Sequence, residues 1–307
     1  PVTFSFGGIV LVCNTRAGRK GLGRHMPEVR RALEERGLDY EIRNTARRGD
    51  ATAVARAALE GGARLVVAVG GDGTIHEVVN GMLADDRAIN PDAALGVVAA
   101  GTGSDFIRTF GLPAAPRFAV NHLAGDTAFP IDIGKITYER DGGREVRYFA
   151  NIAELGIGAE TVARAERLPR WLGPLVYLAA YWLTLRRFRS AHGTVDLVDR
   201  TYEGPVNNII VANGQFFRGG MRIAPRAAPT DGLFDIQIEH ARKLESIALM
   251  PKVYKGQHLP HPDIDEFKRV KLSVASDPQL LIEADGEVLG HTPASFEVLR
   301  DAIKLKV

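Results

Sequence analysis

The residue types that could do chemistry in this chain fall in loops of glycine and aspartate. Gly70-Gly71-Asp72-Gly73-Thr74 follows the apolar run at residues 65–69 and leads at once into a helical pattern carried by Ile75, Val78, Val79, Met82 and Leu83. Glycines let the backbone come close to a ligand and take positive φ. The amides of such a turn, with the positive end of the helix behind them, suit a phosphate group. Thr74 either caps the helix or donates its hydroxyl to a phosphate oxygen. Asp72 fits an anion site only when a cation shares it, and magnesium bridging two phosphates is that cation. On these five residues alone, a plain turn with an aspartate cap is the alternative. The spacing matches neither a Walker loop nor the dinucleotide fingerprint. A second loop of the same kind, Gly101-Thr102-Gly103-Ser104-Asp105-Phe106 with Arg108 just beyond, follows the apolar run at 95–99. Ligands of open α/β sheets bind beyond the carboxyl ends of the strands, so two such loops would face one crevice.

The elements that must position these loops alternate along the first third of the chain. Strands are expected at 9–13, 40–43, 65–69 and 95–99. Helices are expected at 25–36, from an N-cap at Asp50, and from Ile75 onward. Such alternation implies a parallel sheet covered by helices. After Pro130 the texture changes to short strands, among them 131–136, 208–212, 233–238, 270–274 and 280–284, with turns rich in Gly, Asp, Asn and Pro. This second half reads as an antiparallel sandwich, larger than the first domain and interrupted by helical segments around 160–189 and 243–255.

The chain has 307 residues, which suggests two domains of roughly 150 residues each. Apolar residues at 45% and charged ones at 25% are those of an ordinary globular protein. A net charge of +2 is too small for a surface built to neutralise many phosphates, so nucleic acid is not the expected partner. The single cysteine, Cys13, lies in an apolar run and reads as a buried filler with no disulfide to make. No basic stretch followed by a long apolar run opens the sequence, so no secretory leader is read there, and Pro1 leaves the natural start open. The longest apolar stretch, 171–185, would reach about 22 Å as a helix, short of a bilayer core.

The stretch from Gly70 to Met82, Gly-Gly-Asp-Gly-Thr-Ile-His-Glu-Val-Val-Asn-Gly-Met, resembles the nucleotide loop of the diacylglycerol kinase catalytic domain family, which includes bacterial lipid kinases and sphingosine kinases. Other matches run in the family's order over nearly the full length. Asn14 to Lys20 resembles its first motif, with Thr15 where proline is usual. Gly101 to Arg108 resembles its second glycine motif, with Ser104 where asparagine is usual. Asn213 to Pro225, Thr230 to Ile236, and Asp285-Gly286-Glu287 with Thr292-Pro293 resemble its later segments.

The resemblance implies an ATP-dependent lipid kinase with its nucleotide in a crevice between two domains, 1–131 (completed by 294–307) and 132–293. Asn14, Arg16, Gly70, Gly71, Asp72, Gly73, Thr74, Thr102, Ser104 and Asp105 would then hold the nucleotide and its phosphates, and Lys20 could reach a phosphate. Asp72, Asp105 and Asp132 would anchor water and Mg2+. A second, structural magnesium would be held by Asp231 with the carbonyls of Ala228 and Leu233. Asp285 matches the family's general base and Glu287 would orient it or meet metal, although Asp-Gly between apolar strands is also a hairpin signal.

The segment 170–189 carries two tryptophans, two tyrosines and a basic end, which suits a membrane interface or an acyl-chain pocket as well as a core helix. The expected partners are a lipid substrate and a transient membrane surface, the expected place is the cytoplasm at the membrane periphery, and the oligomeric state is open, a homodimer included. Two other readings stand beside this one: a small-molecule kinase of the NAD kinase kind, and a non-catalytic nucleotide or lipid sensor. His76 reads as a surface polar residue, and His258 and His261 as loop residues.

Overall fold

Residues Ile9 to Cys13 are apolar without a break and all are buried, the pattern of a strand covered on both faces. A computed structural model describes residues 8–14, 22–99, 105–125, 127–169, 172, 175–240 and 243–307. The chain divides into two units: Pro1–Ile133 with Arg218–Gly220 and Leu299–Val307, and Gly134–Phe217 with Met221–Val298.

In the first unit the order is β1 (Ile9–Asn14), α1 (Leu22–Glu34), β2 (Tyr40–Thr45), α2 (Asp50–Glu60), β3 (Leu65–Gly70), α3 (Asp72–Met82), the short pair β4 (Leu83–Ala84) and β5 (Arg87–Ala88), β6 (Ala94–Ala99), α4 (Asp105–Phe110) and α5 (Pro116–Ala124). Strands β2, β1, β3 and β6 pair side by side and parallel, as the alternating pattern predicts. Leu11, Val67 and Val98 on one face of this sheet pack with Val29 and Leu33 of α1 and with Val120 and Leu123 of α5. Cys13 belongs to this core, and burial pushes its thiol up to about 11, so it is an inert filler.

Two local expectations need correction. The residue that caps α2 is Gly49, at φ 89°, which glycine adopts without steric cost. Asp50 instead turns back, its Oδ2 accepting the Ala46 and Arg47 amides at 3.0 Å each. His76 is 2% exposed, with Asn80 Nδ2 3.3 Å from its Nε2, so it is an interior residue of α3.

The helix that follows the glycine loop is fixed by α2. Glu77 accepts the Ala51 amide at 3.0 Å, and Thr52 donates its hydroxyl to the Glu77 carbonyl at 2.9 Å. Gly81 lies where the helices come closest. A methyl group there would run into the Thr52 carbonyl and sit 2.8 Å from Ala55 Cβ. Gly81→Ala is expected to destabilise the protein by about 2 kcal/mol through overpacking, lowering the thermal midpoint. An unchanged midpoint would show that α2 and α3 do not depend on this contact.

The second unit takes over within β7 (Ala128–Arg140) and continues through β8 (Gly143–Phe149), β9 (Ile152–Gly156), α6 (Ile157–Ala165), α7 (Leu175–Arg187), β10 (Ala191–Asp196), β11 (Thr201–Val206), β12 (Asn208–Ala212), β13 (Phe234–Glu239), α8 (Lys243–Lys255), β14 (Ile264–Arg269), β15 (Lys271–Asp277), β16 (Leu281–Ala284) and β17 (Glu287–Lys306). One antiparallel ladder runs β14, β13, β12, β9, β16, β17, and a second runs β11, β10, β15, β17. Their shared core holds Phe149 stacked on Phe234 at 5.6 Å and edge-on to Phe296 at 6.4 Å. The end of β17 pairs parallel with β6, Lys304 beside Ala94, so the chain closes in the first unit's sheet. The helical stretch expected around 160–189 is two helices. The first ends at Ala165 and the second begins at Leu175, with Pro169, which lacks the amide a helix interior needs, between them.

Candidate active site

The first unit gathers one cluster at the carboxyl ends of β1 and β3. Gly70 closes β3, and a side chain there would collide with Thr74. Thr74 is buried, and its hydroxyl accepts the Asn14 side-chain amide at 3.3 Å, so it does not cap α3. The cap residue, Gly71, is extended and brings no side chain to the helix end. The positive end of α3 therefore opens at Asp72 and Gly73, where an anion is favoured.

Asp72 and Asp105 form the acidic half of this cluster. Asp72 Oδ1 accepts the Phe106 amide at 3.1 Å, tying the glycine loop to the first turn of α4. Asp105 is 5% exposed, its Oδ2 accepts the Gly219 amide at 2.8 Å, and its Oδ1 has no hydrogen-bond partner among the described residues. Burial, helped by the nearby Asp72 charge, lifts the Asp105 carboxyl to about 6, against the pull of the Gly219 amide. A buried carboxylate with an unsatisfied oxygen beside a second carboxylate is a donor set that fits a hydrated divalent cation.

The sign of this shift gives a stability prediction. The folded carboxyl binds its proton more tightly than the unfolded one. Stability therefore falls as pH rises from the ordinary aspartate value to about 6, and the loss persists above that. Asp105→Asn removes the charge and keeps an acceptor for Gly219. It is expected to stabilise the metal-free protein at pH 7 by about 1–2 kcal/mol, an effect that fades toward pH 4. A variant less stable than the parent at both pH values would show the amide hydrogen bond to outweigh burial.

Asp132, on β7, is buried, and its Oδ1 accepts the Asp301 amide at 2.9 Å, where Asp301 has φ 49°. The structure thus gives Asp132 a part in holding the left-handed backbone of Asp301 within β17. Arg16, Lys20, Thr102 and Ser104 lie outside the described residues.

In the second unit, Asp285 and Gly286 are the two central residues of the β16–β17 hairpin, with Ala284 paired to Glu287. Their φ values of 48° and 87° are those of a type I′ turn, as Asp-Gly predicts. The Asp285 carboxylate does more than turn. Its Oδ2 accepts the Ala150 amide at 2.8 Å, and its Oδ1 accepts Asn151 and Ile152 at 3.1 and 3.0 Å. Glu283 Oε2 holds the other side of the turn through the Gly286 amide at 2.8 Å. Asn213 donates its side-chain amide to the Ala150 carbonyl at 2.9 Å, which fixes the segment that grips Asp285. Glu283 and the amides of residues 150–152 were not legible as site residues. Only Asn213, in a motif of its own, gave a signal.

Two further features lie in this unit. A cavity of about 420 Å³ is walled by Ala163, Leu168, Leu183, Leu281 and Val288, with Arg164, Arg167 and His291 among its polar lining. Leu281 and Val288 come from the two strands joined by the Asp285 turn. Leu175, Tyr177, Leu178, Trp182 and Leu183 of α7 are exposed, Trp182 to 47%, and Arg186 and Arg187 end the helix. No helix among the described residues is long and apolar enough to cross a membrane. His258 is buried, and burial pulls its imidazole down to about 4, which keeps it neutral.

Residues 8–136 match the diacylglycerol kinase catalytic domain, and residues 151–307 match the YegS C-terminal NAD kinase beta sandwich-like domain. A diacylglycerol kinase of Bacillus subtilis is 30% identical over 93% of this chain and 91% of its own. One from Staphylococcus haemolyticus is 29% identical over 96% and 86%. A solved structure of a diacylglycerol kinase from Bacillus anthracis superposes with a TM-score of 0.73 over 99% of this chain and 97% of that one, at 20% identity, a likeness of fold. The α/β unit with its glycine loop and the antiparallel unit define a kinase of two-part build. The chain belongs to the diacylglycerol kinase catalytic domain family, in the branch with a YegS-type C-terminal domain.

Proposed function

We propose that this protein transfers the γ-phosphoryl group of Mg-ATP to the hydroxyl of a membrane lipid, diacylglycerol or a close relative. The observation that carries the lipid acceptor is the apolar cavity on the strands flanking the Asp285 turn, beside a helix that exposes aromatic and aliphatic side chains. A phosphorylated sugar or a dinucleotide would have little use for such walls. The exposed face of α7, with Arg186 and Arg187 at its end, supports transient contact with an anionic membrane surface. The names of the relatives point the same way.

Within this reading, Gly71, Asp72 and Gly73 at the head of α3 receive the phosphates, and Asn14 holds Thr74 in place. Asp72 and Asp105 would hold magnesium, which would supply neutralisation of the phosphate charge. The lipid hydroxyl oxygen forms the new bond to the γ-phosphorus, the bond to the β-phosphate oxygen breaks, and ADP leaves. The hydroxyl proton goes to a carboxylate at the β16–β17 turn. Asp285 has three backbone amides on its two oxygens, which leaves little of the carboxylate open to a substrate hydroxyl. Glu287, half-buried at the start of β17, is the better candidate, with Asp285 shaping the turn that presents it.

The test is phosphoryl transfer from radiolabelled ATP with magnesium to diacylglycerol, phosphatidylglycerol and a sphingoid base in mixed micelles, with NAD as a soluble competitor. Label in a lipid, lost in Glu287→Gln, is the expected result. Label in NAD alone would replace the lipid reading with a small-molecule kinase. Tight nucleotide binding with no transfer to any acceptor would make the protein a sensor.

A further inference from the structure

The turn that joins the Ala224–Ala227 region to β13 is the place where the sequence expects a structural magnesium, on Asp231 and the carbonyls of Ala228 and Leu233. The Ala228 and Asp231 oxygens there are already engaged. The Ala228 carbonyl accepts two amides, Thr230 at 2.7 Å and Asp231 at 3.1 Å, which fills both of its lone pairs. Asp231 Oδ1 accepts the Leu233 amide at 3.0 Å. Asp231 Oδ2 faces the Lys268 ammonium at 3.2 Å. The same ammonium is 3.0 Å from Asp235 Oδ2 and 3.4 Å from the Arg226 carbonyl.

We propose that Lys268 takes the place of the divalent cation at this turn, so that the turn is held by a cation belonging to the chain and is indifferent to magnesium. An ammonium has three donors, and here three oxygens converge on it at ammonium distances. Magnesium would need several oxygens near 2.1 Å in an octahedral set, which this donor set, spread around a nitrogen and partly spent on amides, does not offer. Nor is the position of Lys268 incidental. It pairs directly opposite Asp235 in the β13–β14 ladder, and one strand position away from this pair a cation cannot reach both carboxylates from the same face. The ladder thus delivers the charge to the turn. Neighbouring Arg226 is itself committed, to Glu266 at 3.0 Å. A divalent ion entering the site would have to displace the ammonium or sit beside it against charge repulsion.

Thermal unfolding of the full chain, without nucleotide, in EDTA and in millimolar Mg2+ or Ca2+ tests the proposal. Magnesium bound at the Asp72–Asp105 cluster would raise the midpoint on its own, so the decisive comparison is with Asp231→Asn. Equal divalent responses of the parent and Asp231→Asn, within about 1 °C, are expected. A parent response larger by several degrees would show a metal seated on Asp231 and overturn the proposal. Lys268→Met is expected to unfold several degrees lower than the parent in EDTA, because it leaves the Asp231 and Asp235 carboxylates at the turn without the cation they share. A Lys268→Met protein as stable as the parent in EDTA would overturn it too. Should Lys268→Met not fold, the comparison of parent with Asp231→Asn decides alone.

Discussion

Asp72→Asn is expected to lower phosphoryl transfer by about 10²–10³-fold while leaving the thermal midpoint nearly unchanged. The separation comes from the two jobs of this side chain. As a structural group it accepts the Phe106 amide at 3.1 Å, and the asparagine carbonyl can do that equally well. In the proposed reaction it stands, ionised, beside Asp105 at the open end of α3, where only a full negative charge would help hold magnesium. Removing that charge also lets the Asp105 carboxyl fall toward its ordinary range, since Asp72 is one of the causes of its rise. Steady-state transfer measured across magnesium concentrations reads the outcome. A loss recovered by excess magnesium would fit weakened metal binding, whereas unchanged turnover would remove Asp72 from the metal site.

The second large effect separates two carboxylates two residues apart. Asp285→Asn should destabilise the protein by about 3 kcal/mol, because an amide oxygen cannot take all three amides of residues 150–152 and its NH₂ group meets one of them donor to donor. Activity would fall with it, through disorder of the turn. Glu287→Gln should leave the midpoint in place and reduce kcat by about 10²–10⁴-fold, flattening the acid limb of the pH–rate profile. Denaturant unfolding and kcat measured on both variants are sufficient. If Asp285→Asn folds as well as the parent and loses only turnover, Asp285 is the base; if Glu287→Gln retains full activity, Glu287 is not.

The glycine turn of the first unit was legible because it is local. Gly70 to Thr74 needs no distant residue to be read as a strand-to-helix turn, since the glycines and the helix that follows lie within one stretch of chain. The parallel sheet was legible for the same reason: strands such as β3 and β6 are buried on both faces and therefore apolar throughout. Asp285-Gly286 announced its hairpin, and the structure has it as a type I′ turn.

What sequence could not supply is the partner of each charged group. Asp285 is a base or a clamp depending on whether three amides more than 130 positions away reach it, and the antiparallel pairing of β9 with β16 brings them there. Asp231 meets the Lys268 ammonium, a partner placed by the register of β13 against β14 and invisible from the Asp-Gly-Leu sequence alone. His76 looked like a surface residue until α3 was packed, and Gly49 took the cap assigned to Asp50 because a preceding turn claimed that carboxylate. By itself, then, the sequence determined the family, the two kinds of sheet and the glycine loops, since backbone freedom and hydrophobic period are properties of neighbours in the chain. Tertiary structure alone decided which donors and cations each carboxylate meets, because those arrive from strands far apart in sequence.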